Sequence, residues 1–127
     1  MTQIDRVFDT RYFWTIYTDK DPENIERLKS LLVERIHRFV SSVTLYEIYK
    51  LSIANEGKDV AELRCNLVKK DMQVVSVESR TAEEAARISH MGRIPMADAL
   101  IMATARIIGA ECITDDPHFK LVKTRWV

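Results

Sequence analysis

Apolar positions along this chain recur at two spacings, and the changes between them mark out its elements. Short β-branched or aromatic runs read as strands of buried type: IDRVFD at 4–9, RFVSSV at 38–43, MQVVSV at 72–77 and AECIT at 110–114. VKTRWV at 122–127 reads as a last edge strand. Between them the spacing becomes helical. TRYFWTIY is an aromatic-rich helix. DPENIERLKSLLVERIHR places Asp21 as N-cap and Pro22 at the first helical position, with Ile25, Leu28, Leu32 and Ile36 on one face. TLYEIYKLSIANEG is a helix closed by Gly57, and KDVAELRCNLVKKD another. TAEEAARISHMG runs from a Thr81 cap to a Gly92 stop, and PMADALIMATARIIG ends at Gly109.

Short strands alternating with helices predict an α/β fold with a parallel sheet covered on both faces. In such sheets, binding sites gather outside the carboxyl ends of the strands, where the following helices begin. No repeat, low-complexity segment or Pro/Gly/Ser linker divides the 127 residues, so one domain spanning 1–127 is expected.

Charge narrows the function classes. Lys plus Arg and Asp plus Glu number 19 each, so there is no global polycation, and a nucleic-acid partner needs a local basic patch. Cys65 and Cys112 lack metal-type spacing and fall in core segments. They are read as reduced thiols, which suits a cytoplasmic location. Asp5 and Arg6 interrupt the N-terminus before a signal-type apolar run develops. The longest apolar stretch, 95–110, carries Asp98 and Arg106 and is too short for a bilayer, so no membrane association is expected.

Four acids stand at predicted helix beginnings or strand ends: Asp9, Glu47, Asp98 and Asp116, the last within CITDDPHF. Each also has a structural reading. Thr44 and Glu47 fit a capping box, Asp9 fits an N-cap, and Asp115 or Asp116 fits an Asx-turn ahead of Pro117. Asp98 resists such a reading. Its helix is apolar almost all round, burying an unpaired carboxylate costs several kcal/mol, and a helix dipole offsets at most about 2 kcal/mol of that. A proton, a basic side chain or a metal ion must neutralise it. Oxygen-only donors select Mg²⁺ or Mn²⁺. His37, His90 and His118 are scattered and read as surface or turn residues, so zinc has no ligand set. No phosphate-binding glycine loop is present.

VFDT, TLYE, ADALIMATA and ITDDPHF, in this order across essentially the whole chain, resemble the PIN-domain ribonucleases, most closely the VapC-type toxins of toxin–antitoxin pairs. The resemblance implies a three-layer α/β/α sandwich with a short, mostly parallel central sheet. It implies Mg²⁺- or Mn²⁺-dependent hydrolysis of RNA phosphodiesters by Asp9, Glu47, Asp98 and Asp116, the same four acting as metal ligands. Thr114 matches the hydroxyl that positions a metal-bound water, and Thr10 a small hydroxyl beside the first acid. Asp115 occupies a variable position, either adding to the metal site or solvating the turn. A cognate antitoxin, laid in an apolar groove near the acids, and a homodimer are further implications.

RNA requires cations near the acids, and proximity in sequence nominates Arg11, Arg93, Lys50 and Lys120, each of which also reads as a solvated surface charge. Tyr12, Phe13, Trp14 and Tyr17 suit base stacking, but their spacing favours core packing. Two other readings stand beside the toxin: a PIN nuclease of RNA maturation or decay, and a PIN-like module that binds without cutting. A phosphatase of the haloacid-dehalogenase type fails, because Thr10 and Arg11 follow Asp9 where a second Asp is needed two residues on.

Overall fold

The computed structural model describes residues 4–33 and 35–127. Along them lie β1 (Ile4–Phe8), α1 (Thr10–Thr18), α2 (Pro22–Ser30), β2 (Ile36–Ser41), α3 (Ser42–Glu56) and α4 (Lys58–Asp71). There follow β3 (Gln73–Val75), α5 (Ser79–Gly92), α6 (Met96–Ile108), β4 (Glu111–Ile113) and β5 (Thr124–Arg125). The sheet order is β3-β2-β1-β4-β5 and every pairing is parallel, including that of the short last strand. The chain winds outward from β1 to β2 and β3, then returns to the other side of β1 for β4. The winding reverses between β1 and β4, which is where an open α/β sheet leaves a crevice at its carboxyl edge.

The two faces follow the period of two along each strand. Val7, Phe39 and Cys112 face α5 and α6, packing with Ile88, Ile101 and Met102. Phe8, Val40 and Ile113 face the other layer, with Tyr12, Phe13, Leu28, Ile48 and Val68 from α1 to α4. The result is a three-layer α/β/α sandwich. Among the described residues no helix is long and apolar enough to cross a membrane. Cys65 and Cys112 are buried free thiols.

Several local expectations change. The helix from Asp21 ends at Ser30, and Ile36, His37 and Arg38 belong to β2 instead. Glu34, within that stretch, lies outside the described residues. Pairing of Ile4 with Ile36 and Arg6 with Arg38 fixes this segment as strand despite its helical spacing, a tertiary override of local pattern. Helix α3 starts before Thr44, because Ser41 Oγ caps it by accepting from the Val43 N–H at 3.1 Å. Glu78, not Thr81, precedes α5, and Thr81 Oγ1 accepts from the Glu78 N–H at 3.4 Å. Gly92 does not supply the left-handed stop of α5. Arg93 does, at φ 54°. Gly92 instead provides room, since a Cβ there would meet Ile94 Cγ1 at 3.0 Å.

At the amino edge of the sheet, Arg6 is fully buried and lies directly across the β1–β4 pairing from Glu111. Its Nε donates to Glu111 Oε1 at 2.8 Å and its Nη1 to the Leu31 carbonyl at 2.8 Å, while Arg125 Nε donates to the same carboxylate at 3.0 Å. Removing Glu111 would take the 2.8 Å carboxylate partner away from a guanidinium that stays buried, and truncating one side of a buried ion pair costs about 3 kcal/mol. Glu111→Ala should therefore lower the unfolding free energy by about that amount in urea titration. An unchanged urea midpoint would show that the Arg6–Glu111 contact contributes nothing to stability.

Candidate functional site

Each of the four acids leaves the sheet or enters a helix at the carboxyl edge. Asp9 follows β1 directly and caps α1: Oδ1 accepts from the Thr10 N–H at 2.8 Å, and Oδ2 from Thr114 Oγ1 at 2.7 Å. The cap and the strand exit are thus one residue, which is 2 % exposed. Thr114, just past β4, also accepts the Asp116 N–H at 3.0 Å, so one hydroxyl ties the two strand exits together. Thr10 is buried at the start of α1. Its hydroxyl donates to Glu47 Oε1 at 2.6 Å and lies 3.4 Å from Thr44 Oγ1. The capping-box reading of Thr44 and Glu47 is thereby replaced: Ser41 performs the cap, and Glu47 turns toward Thr10.

Asp98 sits half-buried in the first turn of α6, with no side-chain cap at that helix end. Its carboxyl is raised above the usual range by burial, then by the negative charges of Asp116 and Glu47, against a smaller pull from His118 and Arg11. Asp9 is pushed up to about 7, chiefly by burial. Asp98 and Glu47 add to the rise, while the hydrogen bonds from Thr114 and Thr10 oppose it. Beneath them the Cys112 thiol is also raised, by burial first and then by Asp9 and Asp98. These carboxylates feel one another's charge.

They gather at one edge without closing on one centre. Among the described residues, no three His, Cys, Asp or Glu side chains converge closely enough to cage a metal ion by themselves. Asp116 also fulfils its turn reading: Oδ1 accepts the His118 N–H at 2.9 Å, and His118 Nδ1 lies 2.9 Å from the same oxygen. His118 is thus drawn to the acids, which its sequence context did not signal. Asp115 pairs with Arg11, whose Nε lies 2.5 Å from Oδ1. Arg11 also feels Asp116 and Asp9, making it the arginine that answers this cluster. Lys50, Arg93 and Lys120 are exposed and form no ion pair among the described residues, though Lys50 lies over the Tyr46 ring.

The aromatic cluster of α1 is structural. Tyr12 and Phe13 are buried, and the Phe8–Tyr12 rings meet edge-on at 4.8 Å. Trp14 and Tyr17 flank the Arg64 guanidinium, 5.7 and 4.3 Å from their ring centres.

The sequence pattern of the PIN domain matches residues 6–124. The chain belongs to the PIN-domain family. None of the curated proteins matches it significantly in sequence. Its fold is similar to that of VapBC2 from Rickettsia felis, bound there to a DNA fragment from its promoter (TM-score 0.77, 15 % identity, 97 % of this chain and 98 % of that one). DNA-bound VapBC from Salmonella typhimurium is similar at TM-score 0.76 and 18 % identity, over 98 % of each chain. VapC20 of Mycobacterium tuberculosis, described as a toxin that cleaves the sarcin–ricin loop, gives 0.75 and 18 %, over 91 % of this chain and 93 % of that one. At these identities the likeness is one of fold. In this PIN domain, VFDT ends β1, TLYE lies in the first turns of α3, ADALIMATA forms most of α6, and ITDDPHF leaves β4.

The raised Asp9 carboxyl has a measurable sign. A folded-state value near 7 against an ordinary 3.8 means the fold favours the protonated form. That contribution is full below pH 4 and lost as pH rises toward 7, at most about 4 kcal/mol for this group. In the presence of a chelator, urea stability should fall over this window, with Asp98 adding in the same direction. Asp9→Asn should flatten the profile and be the more stable protein at pH 7.5. A wild type whose stability rises from pH 4.5 to 7 would contradict the raised value.

Proposed function

We propose that this PIN domain, spanning residues 1–127, is a Mg²⁺- or Mn²⁺-dependent endoribonuclease. In this reading Asp9, Glu47, Asp98 and Asp116 form its active site. The observation that carries the reading is electrostatic: a family of nucleases in general, and a chain in which burial first and the charges of neighbouring acids second raise the proton affinity of Asp9 and Asp98. The donor set is oxygen-only, which fits a hard cation. Because such an ion keeps several waters, a set of acids that gathers without closing into a cage suits it.

Asp9, Asp98 and Asp116 would hold the ion directly or through water, with Glu47 completing the set. Bound there, it would acidify a water and offset the negative charge that develops on the attacked phosphate. The chain's own residues supply the order. Thr114 fixes Asp9 against Asp116, and Thr10 holds Glu47 toward the same edge. Asp115 is engaged by Arg11 and is left to the rim. Arg11, Arg93, Lys50 and Lys120 are the cations offered to an RNA phosphate, and Arg11 is the one among them that feels the charge of the acids.

The toxin role rests on fold neighbours that are toxin–antitoxin complexes. An antitoxin segment would find an apolar groove of about 370 Å³ between α1, α2 and α4, lined by Phe13, Ile16, Leu32, Leu67 and Met72. A cytoplasmic homodimer completes the proposal.

The test is cleavage of labelled single-stranded RNAs by purified protein freed of any partner, with Mg²⁺, with Mn²⁺ and with chelator. Cutting should require the cation and fall at least about 100-fold in Asp98→Asn. The cation should also raise the melting temperature of the wild type, as a ligand of the native state must, and do so far less in the variant. Folded wild-type protein that binds no cation and cuts no RNA would remove the enzyme reading.

A further inference from the structure

On the outer face of α3, one residue before Glu47, Tyr46 stands with 62 % of its surface exposed. It belongs to neither core: Leu45 and Tyr49, on either side of it on the helix, turn inward against the sheet. Lys50, one turn further on, places Nζ 5.8 Å from the Tyr46 ring centre. Residues three and four apart share a helix face, so Tyr46, Lys50 and Glu47 form one patch running from the aromatic ring to the acidic edge. Tyr46 also lines a groove of about 460 Å³ between α3 and α4, whose charged residues are Glu62 and Lys69. Arg11 is engaged by Asp115, whereas Lys50, on α3 three residues after Glu47, makes no ion pair among the described residues.

We infer that Tyr46 and Lys50 form a nucleotide-binding step for single-stranded RNA, the ring stacking on a base and the ammonium meeting a neighbouring phosphate. The inference rests on the nuclease reading and adds to it a substrate-binding surface outside the carboxylate edge. An acidic edge repels a polyanion, so the strand must be held by groups beside it. A solvent-facing aromatic ring next to a lysine is the chemistry that holds a single strand irrespective of sequence. The other occupant such a surface suits is a second copy of the chain, since exposed Ile53 lies two turns along the same face.

The inference is tested with a short fluorescein-labelled single-stranded RNA, read by anisotropy in Mg²⁺ on an Asp98→Asn background that does not cut. Tyr46→Ala should weaken binding about 5- to 100-fold, and Tyr46→Phe should retain it. Lys50→Ala should weaken binding and reduce the slope of log affinity against log salt by about 0.7. On the wild-type background both alanine variants should raise KM and leave kcat within about twofold, because binding groups outside the four acids act on the ground state and the transition state alike. Circular dichroism and mass by light scattering should match the parent. If Tyr46→Ala binds and cuts like the parent, or if it changes the oligomer and not RNA affinity, the inference is overturned while the nuclease reading stands. A parent that neither binds nor cuts RNA overturns both.

Discussion

The central position of β1, paired in parallel on both sides, is the constraint on which the rest depends. A parallel neighbour can be reached only by a crossover that returns the chain to the same end of the sheet, so all strands exit at one edge. With β2 on one flank of β1 and β4 on the other, the exits at Phe8, Ser41 and Ile113 lie side by side. The residues that follow them, Asp9, the first turns of α3 and Thr114 to Asp116, meet at that edge although they lie far apart in sequence. The first turn of α6 brings Asp98 to the same edge, within reach of the charges of Asp116 and Glu47. Hydroxyls then tie the exits, Thr114 to Asp9 and Thr10 to Glu47.

The two ends of the sheet treat buried acids in opposite ways. At the amino edge Glu111 is enclosed by Arg6 and Arg125, and its carboxyl is held below the usual range by them even though burial alone would raise it. At the carboxyl edge Asp9 and Asp98 are raised, because burial and like charges dominate and arginine is present only at the rim. Both edges contain desolvated carboxylates, but only the amino edge neutralises its own. An acid whose counter-charge comes from the same chain is explained by folding. An acid whose neighbours are other acids costs stability, and that cost has no structural return unless a proton or an external cation arrives.

Some residues serve both purposes. Asp9 is a helix cap and a member of the acidic edge. Asp116 makes the turn through the His118 backbone and still contributes its charge to Asp98. Structural and chemical readings of such positions are therefore not exclusive, because a strand exit that begins a helix or a turn needs an oxygen acceptor there anyway. Glu47 is the clearer case, since Ser41 performs the cap that Thr44 and Glu47 were expected to share.

By itself the sequence determined the α/β class, the parallel sheet, most helices and the nomination of the four acids. These depend on spacing within ten or fifteen residues and on the rule that strand exits share an edge. It misassigned Ile36 to Arg38, because an apolar residue in helical register is also an apolar residue in a strand, and only pairing with Ile4 to Arg6 distinguishes them. It put a helix stop at Gly92, where the left-handed turn falls on Arg93 and the glycine makes room for Ile94. The engagement of Arg11 by Asp115, the approach of His118 to Asp116 and the burial of Arg6 against Glu111 were also beyond it. Local patterns record which way a side chain faces. Which charges meet is a property of distances between segments far apart in the chain, and those distances exist only once the sheet has been assembled.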